Sequence, residues 1–176
     1  MRLRKLRADD APLMFEWMQD SDITRNFRTD FASRTLADVE RFIRTSQDTA
    51  GDVKRAVVSD SDEYMGTVSL KHIDHERRDA EFAIVMRHAA MGKGFAWYGM
   101  KSILDIAFNE IDLCLVYWNV FEKNLRAISF YDKHQFQKTT SIPESALERY
   151  RGVEGLKWYK AKKSEDNNHT IVKSVK

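Results

Sequence analysis

A single cysteine, few glycines and no long apolar run set the first limits on this 176-residue chain. One cysteine, Cys114, excludes an intrachain disulfide. It lies in the apolar run 111–116 with no basic neighbour to activate it, so it reads as a small buried hydrophobe. No stretch is long enough to span a bilayer, and the basic N-terminus lacks the apolar run of a signal peptide. A cytoplasmic protein without membrane attachment is expected. A large excess of either charge is missing too. The 29 basic and 27 acidic side chains leave a net charge of +2, which argues against nucleic-acid binding driven by overall charge and leaves room for a local basic pocket. No set of histidine, cysteine and carboxylate has metal-ligand spacing, so no metal is expected. Ser129 has no adjacent histidine, which counts against a serine nucleophile. The chain shows no internal repeat and no domain boundary, and its 43% hydrophobic content fits one packed domain over residues 1–161 with a polar, frayed tail at 162–176.

What is present is organised around residues 81–109. Residues 81–86 (Glu81, Phe82, Ala83, Ile84, Val85, Met86) are apolar and partly β-branched, as a buried strand requires. Beyond a short polar link come Met91, Gly92, Lys93, Gly94, Phe95 and Ala96. Met100, Ile103, Leu104, Ala107, Phe108 and Ile111 then recur at helical spacing. Two glycines at the mouth of a helix let backbone N–H groups approach an anion, and the helix dipole favours phosphate there. The same pattern also suits a plain tight turn. It is not a P-loop, since no Gly-Lys-Ser/Thr follows, and the third glycine of a dinucleotide fingerprint is absent.

The rest of the chain supplies a frame. Residues 3–7 read as an opening strand. Asp9 or Asp10 caps a helix with Pro12 in its first turn and Leu13, Met14 and Trp17 on its apolar face. Residues 20–30 form a polar, irregular connection. Thr35 and Asp38 make a capping box for a second helix bearing Val39, Phe42 and Ile43. Strands follow at 54–59, 64–73 and 113–120. A short helix starts at Asn124, with Ala127, Ile128 and Tyr131 on one face, and closing strands are expected at 135–140 and 156–160 around a loop with Pro143 and Gly152. The sum is an α/β (α+β) layer structure, a mixed sheet of about six to seven strands covered by helices.

Three local patterns in this order resemble the GNAT superfamily of acetyl-CoA-dependent N-acetyltransferases. Residues 91–96 are similar to its pyrophosphate loop, although Met91 stands where Arg or Gln is usual. Residues 124–133, Asn-Leu-Arg-Ala-Ile-Ser-Phe-Tyr-Asp-Lys, are close to its Asn-x-x-Ala-Ile-x-x-Tyr-Glu-Lys segment. Ala80-Glu81-Phe82 after Arg77-Arg78 resembles the ribosomal-protein, polyamine and amino-sugar branch. Gln135 replaces a frequent glycine at a turn. The resemblance implies a mostly antiparallel sheet whose fourth and fifth strands splay, flanked by about four helices. It also implies acetyl-CoA as donor, with its arm beside Ile84, Val85 and Met86 and its pyrophosphate on Met91, Gly92, Lys93, Gly94, Phe95 and Ala96. Asn119, Asn124 and Ala127 would flank the cofactor.

For the chemistry, the resemblance implies Tyr131 as the acid that protonates the departing thiolate; the plain alternative is a core tyrosine. A phenol keeps its proton until a thiolate develops. Glu81 is either the base for the amine or the partner of Arg77 or Arg78. His72 and His75 flank a turn, where exposure is the plainer reading. The acceptor is a small-molecule amine, expected against Trp17, Arg25, Phe27, Arg28, Phe31 and His72. Aromatic faces beside arginines suit a nucleotide base and a diphosphate. The layout looks most like nucleotide-linked amino-sugar N-acetyltransferases of the pseudaminic-acid type. Polyamine and protein N-terminal amine acetylation, or a non-catalytic acyl-CoA-binding module, are the alternatives; a homodimer is compatible with all of them.

Overall fold

The computed structural model describes residues 1–46 and 48–163. One sheet carries β1 (Arg2–Arg4), β2 (Val53–Val58), β3 (Tyr64–Asp74), β4 (Asp79–Met86), β5 (Leu115–Phe121), β6 (Gln137–Lys138) and β7 (Leu156–Lys162), in the spatial order β1-β2-β3-β4-β5-β7-β6. Every neighbouring pair is antiparallel except β4 and β5, which run parallel. The expected mixed, mostly antiparallel sheet is therefore present.

Two layers of helix cover it. On one face lie α1 (Ala11–Met18), α2 (Ser21–Thr24) and α3 (Leu36–Thr45); on the other lie α4 (Phe95–Asp105) and α5 (Leu125–Lys133). Side chains alternate along a strand, so β4 and β5 feed both layers. Phe82, Val116, Trp118 and Val120 enter the α4–α5 core beside Met100, Ile103 and Leu104. Each such fully buried apolar side chain contributes about 1.5–3 kcal/mol. Glu81 and Tyr117, their chain neighbours, are consigned to the opposite face.

Local chemistry explains the helix ends. Thr35 Oγ1 accepts from the Asp38 N–H at 3.2 Å and Asp38 Oδ2 accepts from the Thr35 N–H at 3.0 Å, the capping box that the spacing predicts. Gly94 caps α4 in the left-handed region, φ +83°. Gly99, in the middle of α4, allows a close approach to the sheet: a Cβ there would sit 2.7 Å from Val57 Cγ2.

Several expectations need correction. The opening strand covers Arg2–Arg4, not 3–7. Arg4 ends it by turning its guanidinium onto Asp10, with both bonds 2.7 Å long. The connection 20–30 holds a one-turn helix, α2, capped by Asp20. The helix after Gly94 ends in a π-turn, Ile106–Glu110. The first closing strand shrinks to Gln137–Lys138, and the loop after it contains α6 (Glu144–Arg149). Cys114 is exposed rather than buried: it sits before β5, where alternation turns Leu113 inward and the thiol outward. The expected tail begins as ordered chain, since Lys162 ends β7 and Lys163 pairs with Asp112 at 2.6 Å; residues 164–176 lie outside the described residues. Among the described residues no helix is long and apolar enough to cross a membrane.

Candidate active site

The parallel pairing of β4 and β5 is short. It joins Asp79 to Leu115, Ala80 to Val116 and Glu81 to Tyr117, and then ends, although β4 continues to Met86 and β5 to Phe121. β4 keeps its antiparallel partner β3 out to Met86, so the edge of 84–86 that faces β5 is left without a strand. Such an edge offers backbone donors and acceptors to an extended ligand.

The gap opens into a cavity of about 910 Å³. Its walls are Ile84, Val85 and Met86 on β4, the 90–97 segment at the mouth of α4, residues 123–134 on and beside α5, and the 22–27 segment. Among the described residues, no backbone carbonyl accepts from the N–H groups of Gly92, Gly94, Phe95 or Ala96. Gly92, φ +74°, has open space where a Cβ would stand. Free donors at the positive end of an eleven-residue helix suit a diphosphate. The residues present thus fit the coenzyme's pyrophosphate and extended arm. Met91 lines the cavity but leans on the α1–α3 core, and Lys93 stands outside the lining.

Tyr131 follows from α5. Asn124 caps that helix, its Oδ1 accepting from the Ala127 N–H at 3.2 Å, and both residues border the cavity. The Tyr131 ring is buried among Trp118, Tyr159 and Phe136, and no protein group among the described residues hydrogen-bonds its hydroxyl. Burial raises its pKa, and the neighbouring Tyr159 adds to the effect. A tyrosine that keeps its proton and faces a cavity is equipped to donate it.

Glu81 occupies the last rung of the β4–β5 ladder on the opposite face. Its side chain is 3% exposed. Neither Arg77 nor Arg78 reaches it: Arg77 pairs with Asp74 and Asp79, and Arg78 with Asp112. Instead Oε1 accepts from Tyr150 Oη at 2.5 Å and from Lys71 Nζ at 3.3 Å, and Oε2 accepts from Arg149 Nη2 at 3.3 Å. The same Arg149 nitrogen donates to Tyr117 Oη at 2.7 Å. Burial raises the pKa of Tyr117 and pushes Tyr150 up to about 12.

The expected acceptor residues separate into three groups. Arg25 and Phe27 border the cavity, with Arg25 paired to Asp22 at 3.2 Å. Arg28 lies over the Tyr150 ring at 5.4 Å. His72 joins Arg28 on that side: burial, and then the charge of Arg149, lower its pKa. Trp17 and Phe31 belong to packing; Trp17 is 4% exposed and donates to Tyr64 Oη at 3.2 Å. Asn119 is absent from the cavity walls and stands beside the Tyr150 hydroxyl. Phe95 is buried in the core behind the loop. His75 is exposed and bonds the Ala50 carbonyl oxygen at 2.8 Å.

Sequence reading missed Arg149 and Tyr150. Pro143 followed by Glu-Ser-Ala-Leu-Glu-Arg carries the signal of a short helix, with proline at its start and good helix formers after it. It also missed His88, whose Nε2 lies 3.0 Å from Asp20 Oδ2 at the cavity mouth. Asp20, Asp22 and His88 place one ligand atom each within 4.8 Å of one another, and Asp20 is already engaged by the Asp22 N–H.

Comparison with known proteins agrees with this geometry. The acetyltransferase (GNAT) domain family matches residues 1–137. An uncharacterized N-acetyltransferase, p20, of Bacillus licheniformis is 26% identical over 160 residues, 88% of this chain and 86% of that protein. Spermidine N(1)-acetyltransferase of Escherichia coli K12 is 36% identical over 83 residues, 47% of this chain and 45% of that enzyme. In fold, spermidine N-acetyltransferase of Vibrio cholerae, solved with CoA and spermine, superposes with a TM-score of 0.75 at 21% identity, covering 92% of this chain and 95% of that one. With strands four and five parted over a glycine-opened helix, the chain belongs to the GNAT acetyltransferase family, N-acetyltransferases that take their acyl group from acetyl-CoA.

Proposed function

We propose that the chain acetylates a primary amine of a polyamine. The reading rests above all on the gap beyond Glu81 and Tyr117, with the free Tyr131 hydroxyl on one side and the glycine loop at its far end. In this reading the thioester arm lies along Ile84–Met86 as an added strand would, and a backbone N–H near Ile84 or Val85 stabilises the oxyanion. Gly92, Gly94, Phe95 and Ala96 hold the pyrophosphate, with Lys93 adding charge. Tyr131 protonates the thiolate, and Glu81 is the destination of the amine's proton.

Two observations favour a cationic acceptor. The relatives include enzymes named for spermidine, and Asp20 and Asp22 stand by the cavity mouth. A second reading, a nucleotide-linked amino sugar, draws on Arg28 and Arg149 beside the Tyr150 ring, a set that suits a diphosphate and a base. Thiol release from acetyl-CoA, followed with spermidine, spermine, UDP-amino sugars and N-terminal peptides, separates the readings. Turnover led by spermidine is expected. Turnover led by a UDP-amino sugar would transfer the acceptor to the second reading, and acetyl-CoA binding without turnover on any amine would leave a binding module.

A further inference from the structure

We propose that the Tyr150 hydroxyl takes the proton from the acceptor amine and passes its own proton to Glu81. The inference rests on the amine-acetyltransferase reading and deepens it.

Position comes first. Glu81 and Tyr117 form the last paired rung before β4 and β5 part, so Glu81 marks the vertex of the gap, at the end away from the glycine loop. An arm anchored by its pyrophosphate at Gly92–Ala96 carries its thioester toward that vertex. Glu81 itself is out of an amine's reach: it is 3% exposed, and Lys71, Arg149 and Tyr150 surround its oxygens. Tyr150 is only half-buried, and its O–H lies 2.5 Å from Oε1. It is the outer member of the pair.

The ring is also held. It meets Trp158 edge-on at 5.2 Å, and Arg28 covers its face at 5.4 Å. Lys71 and His72 from β3, Tyr117 and Asn119 from β5, and the adjacent Arg149 complete the groups that face the Glu81–Tyr150 pair. Burial together with the Glu81 hydrogen bond keeps the phenol protonated at neutral pH, so its hydrogen points at the carboxylate and a lone pair remains for the amine.

The step balances. Before attack, the ammonium gives one N–H proton to Tyr150 Oη as the Tyr150 proton goes to Glu81 Oε1, so the carboxylate becomes a neutral acid. The freed lone pair of the amine nitrogen bonds to the thioester carbon. When the C–S bond breaks, Tyr131 gives its proton to the thiolate. As the amide forms, the nitrogen's second proton returns to the Tyr131 oxygen through water, and Glu81 releases its proton to solvent. No oxidant or further reactant is needed.

Steady-state kinetics of Tyr150→Phe, with the best amine found in the panel, tests the relay. The expected result is an unchanged KM for acetyl-CoA and a fall in kcat on the order of 10²-fold at pH 7. The deficit should narrow as pH approaches the amine's own pKa, because solution then supplies the neutral amine. A variant within about threefold of wild type, or a deficit equal at every pH, overturns the proposal. Should Tyr150→Phe fail to fold, Glu81→Gln must show the same pH-dependent deficit, and its absence overturns the relay equally. Wild type inactive on every amine removes the acetyltransferase reading as well; wild type active beside an indifferent Tyr150→Phe removes only the relay.

Discussion

The two sides of the parted strands are built from different materials. On the coenzyme side the structure offers backbone: free N–H groups at the start of α4 and the unpaired edge of β4. On the Glu81 side it offers side chains drawn from β3, β4, β5 and the end of α6, joined by hydrogen bonds and ion pairs. A backbone cradle needs only glycine and a helix start, so it tolerates Met91 in place of the usual Arg or Gln. A side-chain cluster has no such slack, because removing one member leaves a buried partner unsatisfied.

That contrast can be broken at four points. The largest effect is expected at Tyr131, where both sides meet. Tyr131→Phe should lower kcat by about 10²–10⁴-fold with little change in KM for acetyl-CoA, measured as thiol release. Next comes the side-chain cluster: Arg149→Met should destabilise the fold by about 1.5–3 kcal/mol in urea, since it removes charged hydrogen bonds to Glu81 and Tyr117. Smaller is the backbone side. Gly94→Ala forces a side chain into φ +83° at a cost of about 1–2 kcal/mol, and acetyl-CoA affinity by calorimetry should fall about tenfold while the fold survives.

The smallest effect concerns Asp79, which is 4% exposed and leaves Oδ1 without a partner among the described residues. Burial raises its pKa in the folded chain above the unfolded value. The folded state therefore holds this proton more tightly. Its stability contribution is full below the unfolded pKa and is lost as pH rises through the folded pKa. Asp79→Asn should raise the melting temperature at pH 7 by about 1–3 °C, with the gain vanishing on acidification toward the carboxylate range.

The same contrast sets what could be read from the sequence. The strand-turn-helix of 81–105, the Thr35–Asp38 cap and the Asn124 cap were legible because each depends on local spacing, and the gap beside 84–86 was legible only through the resemblance to the GNAT superfamily. Gln135 was legible as a turn residue in the glycine region and sits at φ +58°. The partners of Glu81 were not legible. Arg149 and Tyr150 are 68 and 69 residues away along the chain, and periodicity carries no information at that range. Arg77 and Arg78, the near neighbours, were the wrong partners for that reason: backbone direction sends them to Asp79 and Asp112. Cys114 marks the other limit, since one residue of strand register decides whether a side chain faces solvent or core.

Hydrogen–deuterium exchange with and without acetyl-CoA tests the central claim most directly, because it reads the parted strand edge itself. Binding should slow exchange in peptides covering 82–86 and 92–97, and leave the paired 79–81 rung unchanged. Saturable binding with no added protection in either segment would contradict the account.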